Sequence, residues 1–156
     1  MTLLKVNLKI LMTKTTMADK FKILAEFIKD ISSETPNIET YLFVKEKIAN
    51  YNLQIDITSK AIKNNLVEVS TKLSYEDKDN NEKKAYFEIV YVSIVKLDEE
   101  IKEDKEIEKI ILCDVQNKIF HNIEKAFLNL LSNSGYPKIE WTKKPDFFEL
   151  YKQKSN

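Results

Sequence analysis

Few residues in this chain of 156 could carry out chemistry. Cys113 is its only cysteine and His121 its only histidine. A nucleophilic cysteine needs an adjacent base, and a zinc site needs several histidine or cysteine ligands. The spacing of these two residues predicts neither arrangement. Cys113 is better explained as a small buried hydrophobic residue, and one cysteine without an intrachain partner fits a reducing compartment.

Other catalytic arrangements are equally absent from the sequence. Asp77 and Asp79 are neighbouring carboxylates, but they lie in a run of charged and amide residues that is typical of a loop. Gly135 is the only glycine, which excludes a glycine-rich phosphate loop. The 25 basic and 25 acidic residues cancel, whereas nucleic-acid-binding proteins usually carry a basic excess. We therefore predict no enzymatic activity, no cofactor, no metal site and no nucleic-acid partner.

The beginning of the chain is apolar but does not predict a membrane segment. Lysines at positions 5 and 9 interrupt residues 3–12, and no run approaches the roughly 20 apolar residues that span a bilayer. A signal peptide would need an uninterrupted apolar region and a small-residue cleavage site. Met17 resembles a true start, so we expect residues 1–16 to be a disordered or mis-called extension and residues 17–156 to form one domain.

Alternating apolar residues predict four strands, near residues 21–32, 53–58, 67–75 and 85–97. Pro36 ends the first strand, Asn64 and Asn65 indicate a turn, and the charged residues 76–83 indicate a hairpin loop. The first strand is expected to bury one face, which carries Phe21, Ile23, Ala25, Phe27 and Ile31.

Helical spacing then replaces the alternation between residues 107 and 131. Gly135 is suited to cap this long helix, and Pro145 to precede a short last one. Strands grouped before helices predict an α+β fold: a four-stranded antiparallel sheet followed by one long and one short C-terminal helix. The apolar stripe of the long helix is wider than one sheet would cover, so we interpret it as an oligomer interface, the alternative being a fully buried monomer core: Ile119, Phe120, Ile123, Phe127 and Leu130.

Several segments, taken in order, resemble the SecB family of protein-export chaperones. Residues 27–37, FIKDISSETPN, resemble the first-strand signature of the family, and residues 85–89 its fourth-strand segment. Residues 117–120, 136–139 and 145–151 resemble its helix, its turn and its last helix. The chain departs from the family pattern where Gln116 and His121 replace prolines of the long helix and Glu124 replaces an arginine.

The resemblance implies a cytoplasmic, ATP-independent holdase that assembles as a homotetramer, a dimer of dimers. Such a protein would bind unfolded secretory precursors in apolar grooves and deliver them to the SecA motor ATPase. Client contact would fall on the connection after the first strand and on the terminal region: Tyr41, Leu42, Phe43, Val44, Trp141, Phe147, Phe148 and Tyr151. The alternative is that these side chains close the domain's own core.

For SecA docking, the resemblance points to three acidic residues, Asp30, Glu34 and Glu88. The alternative interpretation is that they are ordinary solvated residues of the strands. Two other functions stay open at this point. One is a SecB-like chaperone dedicated to a single client, such as the antitoxin of a toxin–antitoxin system. The other is a structural domain whose apolar surface holds a fixed complex.

Overall fold

The structure, a computed structural model, describes residues 20–79 and 81–154, so the expectation for residues 1–16 lies outside it. Strands β1 (Phe21–Glu34), β2 (Asn52–Ala61), β3 (Leu66–Glu76) and β4 (Tyr86–Leu97) form an antiparallel sheet in the order β1-β4-β3-β2. The predicted α+β fold is confirmed, with helices following the sheet.

A long helix begins after β4 and is built in three parts. These are α2 (Asp104–Lys109), a π-helical segment (Ile110–Val115) and α3 (Gln116–Asn133). The short last helix is α4 (Phe147–Lys154), where the Asp146 carboxylate accepts the Glu149 amide at 3.2 Å and caps the first turn. The connection from β1 to β2 contains a further short helix, α1 (Ile38–Lys45), and a 3₁₀ turn (Ile48–Asn50).

Three residues with positive φ mark the predicted breaks in regular structure. Asn64 and Asn65 have φ of 64° and 60° in the β2–β3 hairpin, which is the geometry of the tight turns that favour asparagine. Gly135 has φ of 93° just after α3, so the predicted helix end is confirmed.

Strand β1 departs from the prediction of one buried face. Its pairing with β4 skips Leu24 and Lys29, and each skipped residue is a bulge that exchanges the two faces of the strand. Phe27 therefore pairs beside Val92 on one face of the sheet, whereas Ile31 pairs beside Ile89 on the other. Of the five residues expected to be buried, Phe21 is buried, Ile23 is half-buried, and the remaining three are exposed: Ala25, Phe27 and Ile31.

The long helix packs against one face of the sheet, which we call the inner face; the opposite one is the outer face. Alternate residues of β3 and β4, including Leu73, Tyr75 and Phe87, are fully buried on the inner face. They meet the apolar stripe of α3, where Phe127 contacts Tyr75 edge to face at 5.9 Å between ring centroids. On the outer face most side chains of β3 and β4 are half-buried or exposed, whereas Val92 is 1% exposed.

One polar pair lies inside this core. Thr71 on β3 and Gln116 at the start of α3 are both fully buried. The Gln116 side-chain amide donates to the Thr71 hydroxyl at 2.9 Å, and that hydroxyl lies 3.2 Å from the Gln116 Oε1. The pair satisfies polar groups that would otherwise be costly to bury, and it joins the sheet to the helix just after the π-helical segment.

Candidate functional site

Helix α1 displays an apolar stripe on the connection where client contact was predicted. Asn37 caps the helix by accepting the Thr40 amide at 2.8 Å, and Val44 is completely buried beneath it. Ile38 is 73% exposed and Leu42 57% exposed, four residues apart and therefore on one side of the helix. Of the predicted set, Leu42 is thus available to a partner, Tyr41 and Phe43 are half-buried, and Val44 belongs to the core.

Tyr41 fastens α1 to the end of the long helix. Its hydroxyl donates to the Gly135 carbonyl at 2.7 Å, and its ring lies 5.2 Å from the Tyr136 ring. The Tyr136 hydroxyl is in turn 2.7 Å from the Thr35 Oγ1 at the end of β1. These contacts hold the connection close to the helix end, so Leu42 lies on a fixed surface.

The predicted residues of the terminal region divide between core and surface. Phe147 is 3% exposed and contacts Phe120 at 5.4 Å, so it closes the core. Trp141 is half-buried and stacks on Phe127 with 5.6 Å between centroids. Phe148 is 42% exposed, with the Lys109 ammonium 5.9 Å from its ring centroid. Tyr151 is half-buried beside the edge strand β2.

Two adjoining cavities follow β2 on the inner side of the sheet, and together we call them the β2 groove. They have volumes of about 300 Å³ and 310 Å³ and share Ile57, Leu112 and Lys154 in their walls. The apolar lining comes from β2, the long helix and α4: Ile55, Ile57, Ile107, Ile111, Leu112, Phe147 and Leu150.

Sequence reasoning missed most of the β2 groove. The isoleucines of β2 were recognised as one face of a strand, but nothing marked that strand as an edge of the sheet. In the structure β2 pairs only with β3 among the described residues, so its other edge carries backbone groups without a strand partner. Such an edge beside an apolar cavity is able to receive an extended peptide.

The three acidic residues predicted for docking lie together on the outer face. Asp30 pairs beside Val90 and Glu34 beside Tyr86, so Glu88 projects from the intervening position on the neighbouring strand. Asp30 and Glu34 are exposed, whereas the Glu88 side chain is 20% exposed and lies 3.4 Å from the Lys72 ammonium. We call this set, Asp30, Glu34 and Glu88, the carboxylate surface.

Most of the predicted oligomer interface lies inside the chain's own core. Ile119, Phe120, Ile123 and Phe127 are all buried against the sheet, and Leu130 is half-buried. The wide apolar stripe is therefore explained within one chain, with Ala126, Leu128 and Leu130 only partly buried. Strand β1 has more exposed apolar surface, since four of its side chains are between 45% and 50% exposed: Leu24, Phe27, Ile28 and Ile31.

Neither Cys113 nor His121 lies in an arrangement that would make it reactive. Cys113 is completely buried, and burial raises the pKa of its thiol. His121 is exposed on α3. The described residues contain no cluster of three potential metal ligands. Nor do they include a helix long and apolar enough to cross a membrane.

Comparison with known proteins gives consistent results. A family model described as preprotein translocase subunit SecB matches residues 14–156. A protein-export protein SecB of Pelagibacter ubique is 57% identical over 140 residues, which cover 90% of this chain and 100% of that protein. A protein-export protein SecB of Bartonella quintana is 23% identical over 134 residues, covering 86% and 83%.

A solved structure shares the fold. It is the SecB-like chaperone of Mycobacterium tuberculosis in complex with a ChAD peptide from the HigA1 antitoxin. The TM-score is 0.63 at 10% sequence identity, and the match covers 84% of this chain and 92% of that one.

Proposed function

Because this chain belongs to the SecB family, and is therefore a protein-export chaperone rather than an enzyme, we propose that it holds unfolded secretory precursors without ATP and delivers them to the SecA motor. We place this activity in the cytoplasm, where a single reduced cysteine is expected. The observation that carries the proposal is the β2 groove, a partly apolar groove beside a strand edge that has no strand partner among the described residues.

The shape of the groove suits an unfolded polypeptide. An extended peptide that lies along β2 would receive main-chain hydrogen bonds from the strand edge, which do not depend on its sequence. Its apolar side chains would enter the two cavities, which gives affinity for apolar segments without demanding a fixed motif. A structural relative that holds a peptide supports the same use of this fold.

Around the groove, we propose that the exposed members of the predicted client set contact the precursor directly. These are Leu42 on α1 and Phe148 on α4, with Tyr41, Phe43, Trp141 and Tyr151 presenting their half-buried rings. Val44 and Phe147 are buried and contribute indirectly, because they hold α1 and α4 against the core. Binding the unfolded state in this way keeps the precursor from folding by mass action.

We further propose that the carboxylate surface docks SecA. Carboxylates on an accessible sheet face attract a basic partner and orient it during encounter. Their place on the outer face separates them from the β2 groove on the inner side, so SecA and a precursor could be bound at once.

Assembly into a homotetramer is also part of the proposal. Exposed edge strands with apolar residues promote association, and β1 exposes apolar side chains on both of its faces. We propose that a second copy pairs along the edge of β1 that has no strand partner among the described residues, which leaves the carboxylate surface accessible, and that Leu130 contributes to contacts between long helices.

Client binding is tested by light scattering on the purified protein, alone and with a reduced, unfolded precursor. We expect a mass near four times the 18.3 kDa chain and a stable complex with the precursor. Leu42→Lys should weaken that complex about tenfold, the equivalent of losing one buried leucine contact. Ile62→Lys is the matched control, because Ile62 is 41% exposed in the distant β2–β3 turn.

The result distinguishes the proposed function from its alternatives. A protein that holds a single client and ignores unrelated unfolded precursors would be a dedicated chaperone. One that binds no unfolded chain would contradict the proposal.

For docking, Asp30→Lys with Glu88→Lys should weaken SecA binding while assembly and precursor binding are retained, with Glu100→Lys as the control. Equal SecA affinity in all these proteins would refute the assignment of the carboxylate surface.

A further inference from the structure

Lys72 occupies a central position on the outer face, next to the carboxylate surface. In the register of the sheet it faces Val90 on β4 and Asp56 on β2, and Asp30 lies beyond Val90 on β1. Its ammonium is 3.4 Å from the Glu88 carboxylate, and the side chains of Lys72 and Glu88 are 41% and 20% exposed. Lys72 therefore takes up much of the accessible charge of Glu88.

The surroundings of Lys72 are otherwise acidic. Three successive rows of outer-face residues lie here, from Asp30 to Glu34 on β1 and from Asp56 to Asn52 on β2. In the last row Glu34 pairs with Tyr86 and Glu76 pairs with Asn52. Lys72 is the only basic residue among these paired positions. The rows also hold five carboxylates: Asp30, Glu34, Asp56, Glu76 and Glu88.

From this arrangement we infer that Lys72 attenuates docking at the carboxylate surface and so sets the affinity for a partner that presents lysine or arginine side chains. The inference rests on the proposed docking function. A basic group that approaches Glu88 must either displace the Lys72 ammonium or be repelled by it. Asp30 and Glu34, in contrast, take part in no ion pair among the described residues. Like charges placed together at an interface disfavour binding.

The test measures SecA affinity for the full-length wild-type protein and for three lysine variants. Lys72→Met should bind SecA about two- to fivefold more tightly, the range expected for one exposed charge contact. Lys72→Arg retains the charge and should bind like wild type. Lys96→Met is the matched control, because Lys96 lies on the same face but eight residues along β4 from Glu88, about 26 Å away and beyond the screening length.

The dependence of SecA affinity on ionic strength provides a second readout. If Lys72 had a purely structural role, Lys72→Met would not alter this dependence. The gain from Lys72→Met should shrink as salt is added, since the effect is a screened charge interaction. If Asp30→Lys weakens SecA binding but Lys72→Met leaves it unchanged at low salt, the role of Lys72 is refuted and docking stands. If neither wild type nor Lys72→Met binds SecA, the docking assignment fails together with the role of Lys72.

Discussion

Substituting one member of the buried Thr71–Gln116 pair should destabilise the fold, whereas substituting both with apolar residues should not. Both side chains are fully buried, and among the described residues each is the hydrogen-bond partner of the other. Thr71→Val keeps the side-chain shape but leaves the Gln116 amide unsatisfied. Gln116→Leu keeps most of the side-chain volume but leaves the Thr71 hydroxyl without its hydrogen-bond partner.

The size of the effect follows from the cost of a buried polar group without a partner. Each single change should lower the free energy of unfolding by about 1–3 kcal/mol, because the remaining polar group keeps its desolvation penalty. The double variant removes both polar groups and should lie within about 1 kcal/mol of wild type. If the double variant is as stable as wild type, the coupling free energy equals the sum of the two single losses, about 2–6 kcal/mol.

A double-mutant cycle measured by urea unfolding, followed by circular dichroism, checks this reasoning. All four proteins must be compared at one chain concentration, since the stability of an oligomer depends on concentration. Thr58→Val makes the same chemical change at an exposed site on β2 and should alter stability by less than about 0.5 kcal/mol. Additive single effects, with the double variant the least stable, would refute the coupling.

Other consequences of the structure can be measured in the same way. Ser93→Ala should raise the free energy of unfolding by up to about 1 kcal/mol in urea titrations, because the buried Ser93 hydroxyl has no hydrogen-bond partner among the described residues. Gly135→Ala should lower the thermal midpoint by the equivalent of about 1–2 kcal/mol, since φ of 93° disfavours a side chain. Burial raises the pKa of Tyr75 to about 12, and burial followed by the Glu26 hydrogen bond raises that of Tyr91 to about 12. The folded state therefore holds these protons more tightly than the unfolded state, and stability that is present below pH 10 should be lost between about pH 10 and 12. Melting curves across that range should show a smaller loss for Tyr75→Phe than for wild type.

The regular part of the fold could be predicted from the sequence because its signals are local. Alternation in β2, β3 and β4 is uninterrupted, and the asparagine turn at residues 64–65 and Gly135 have the chemistry that their backbone angles require. Strand β1 could not be predicted correctly in the same way. The bulges at Leu24 and Lys29 arise from pairing with β4, and the alternation of β1 alone does not show where the faces are exchanged.

The candidate site was predictable only in part. Asp30, Glu34 and Glu88 lie on one face because the two strands align them, which the family resemblance anticipated and the spacing alone did not. Among the aromatic residues, sequence cannot separate Phe147 from Phe148, since both follow Asp146 in the same helix. Their burial differs because the Phe147 side chain faces Phe120 on the long helix, a contact between segments distant in the sequence.

Trp141, stacked on Phe127 in the segment between α3 and α4, gives the protein a built-in optical reporter. It is the only tryptophan of the chain, so its fluorescence emission comes from one known position. A precursor that displaces this segment from the core would move the indole into water and shift the emission to longer wavelength. A precursor bound in the β2 groove alone would leave the emission unchanged. Engagement of the terminal segment can therefore be followed in real time, without a label and with each client separately.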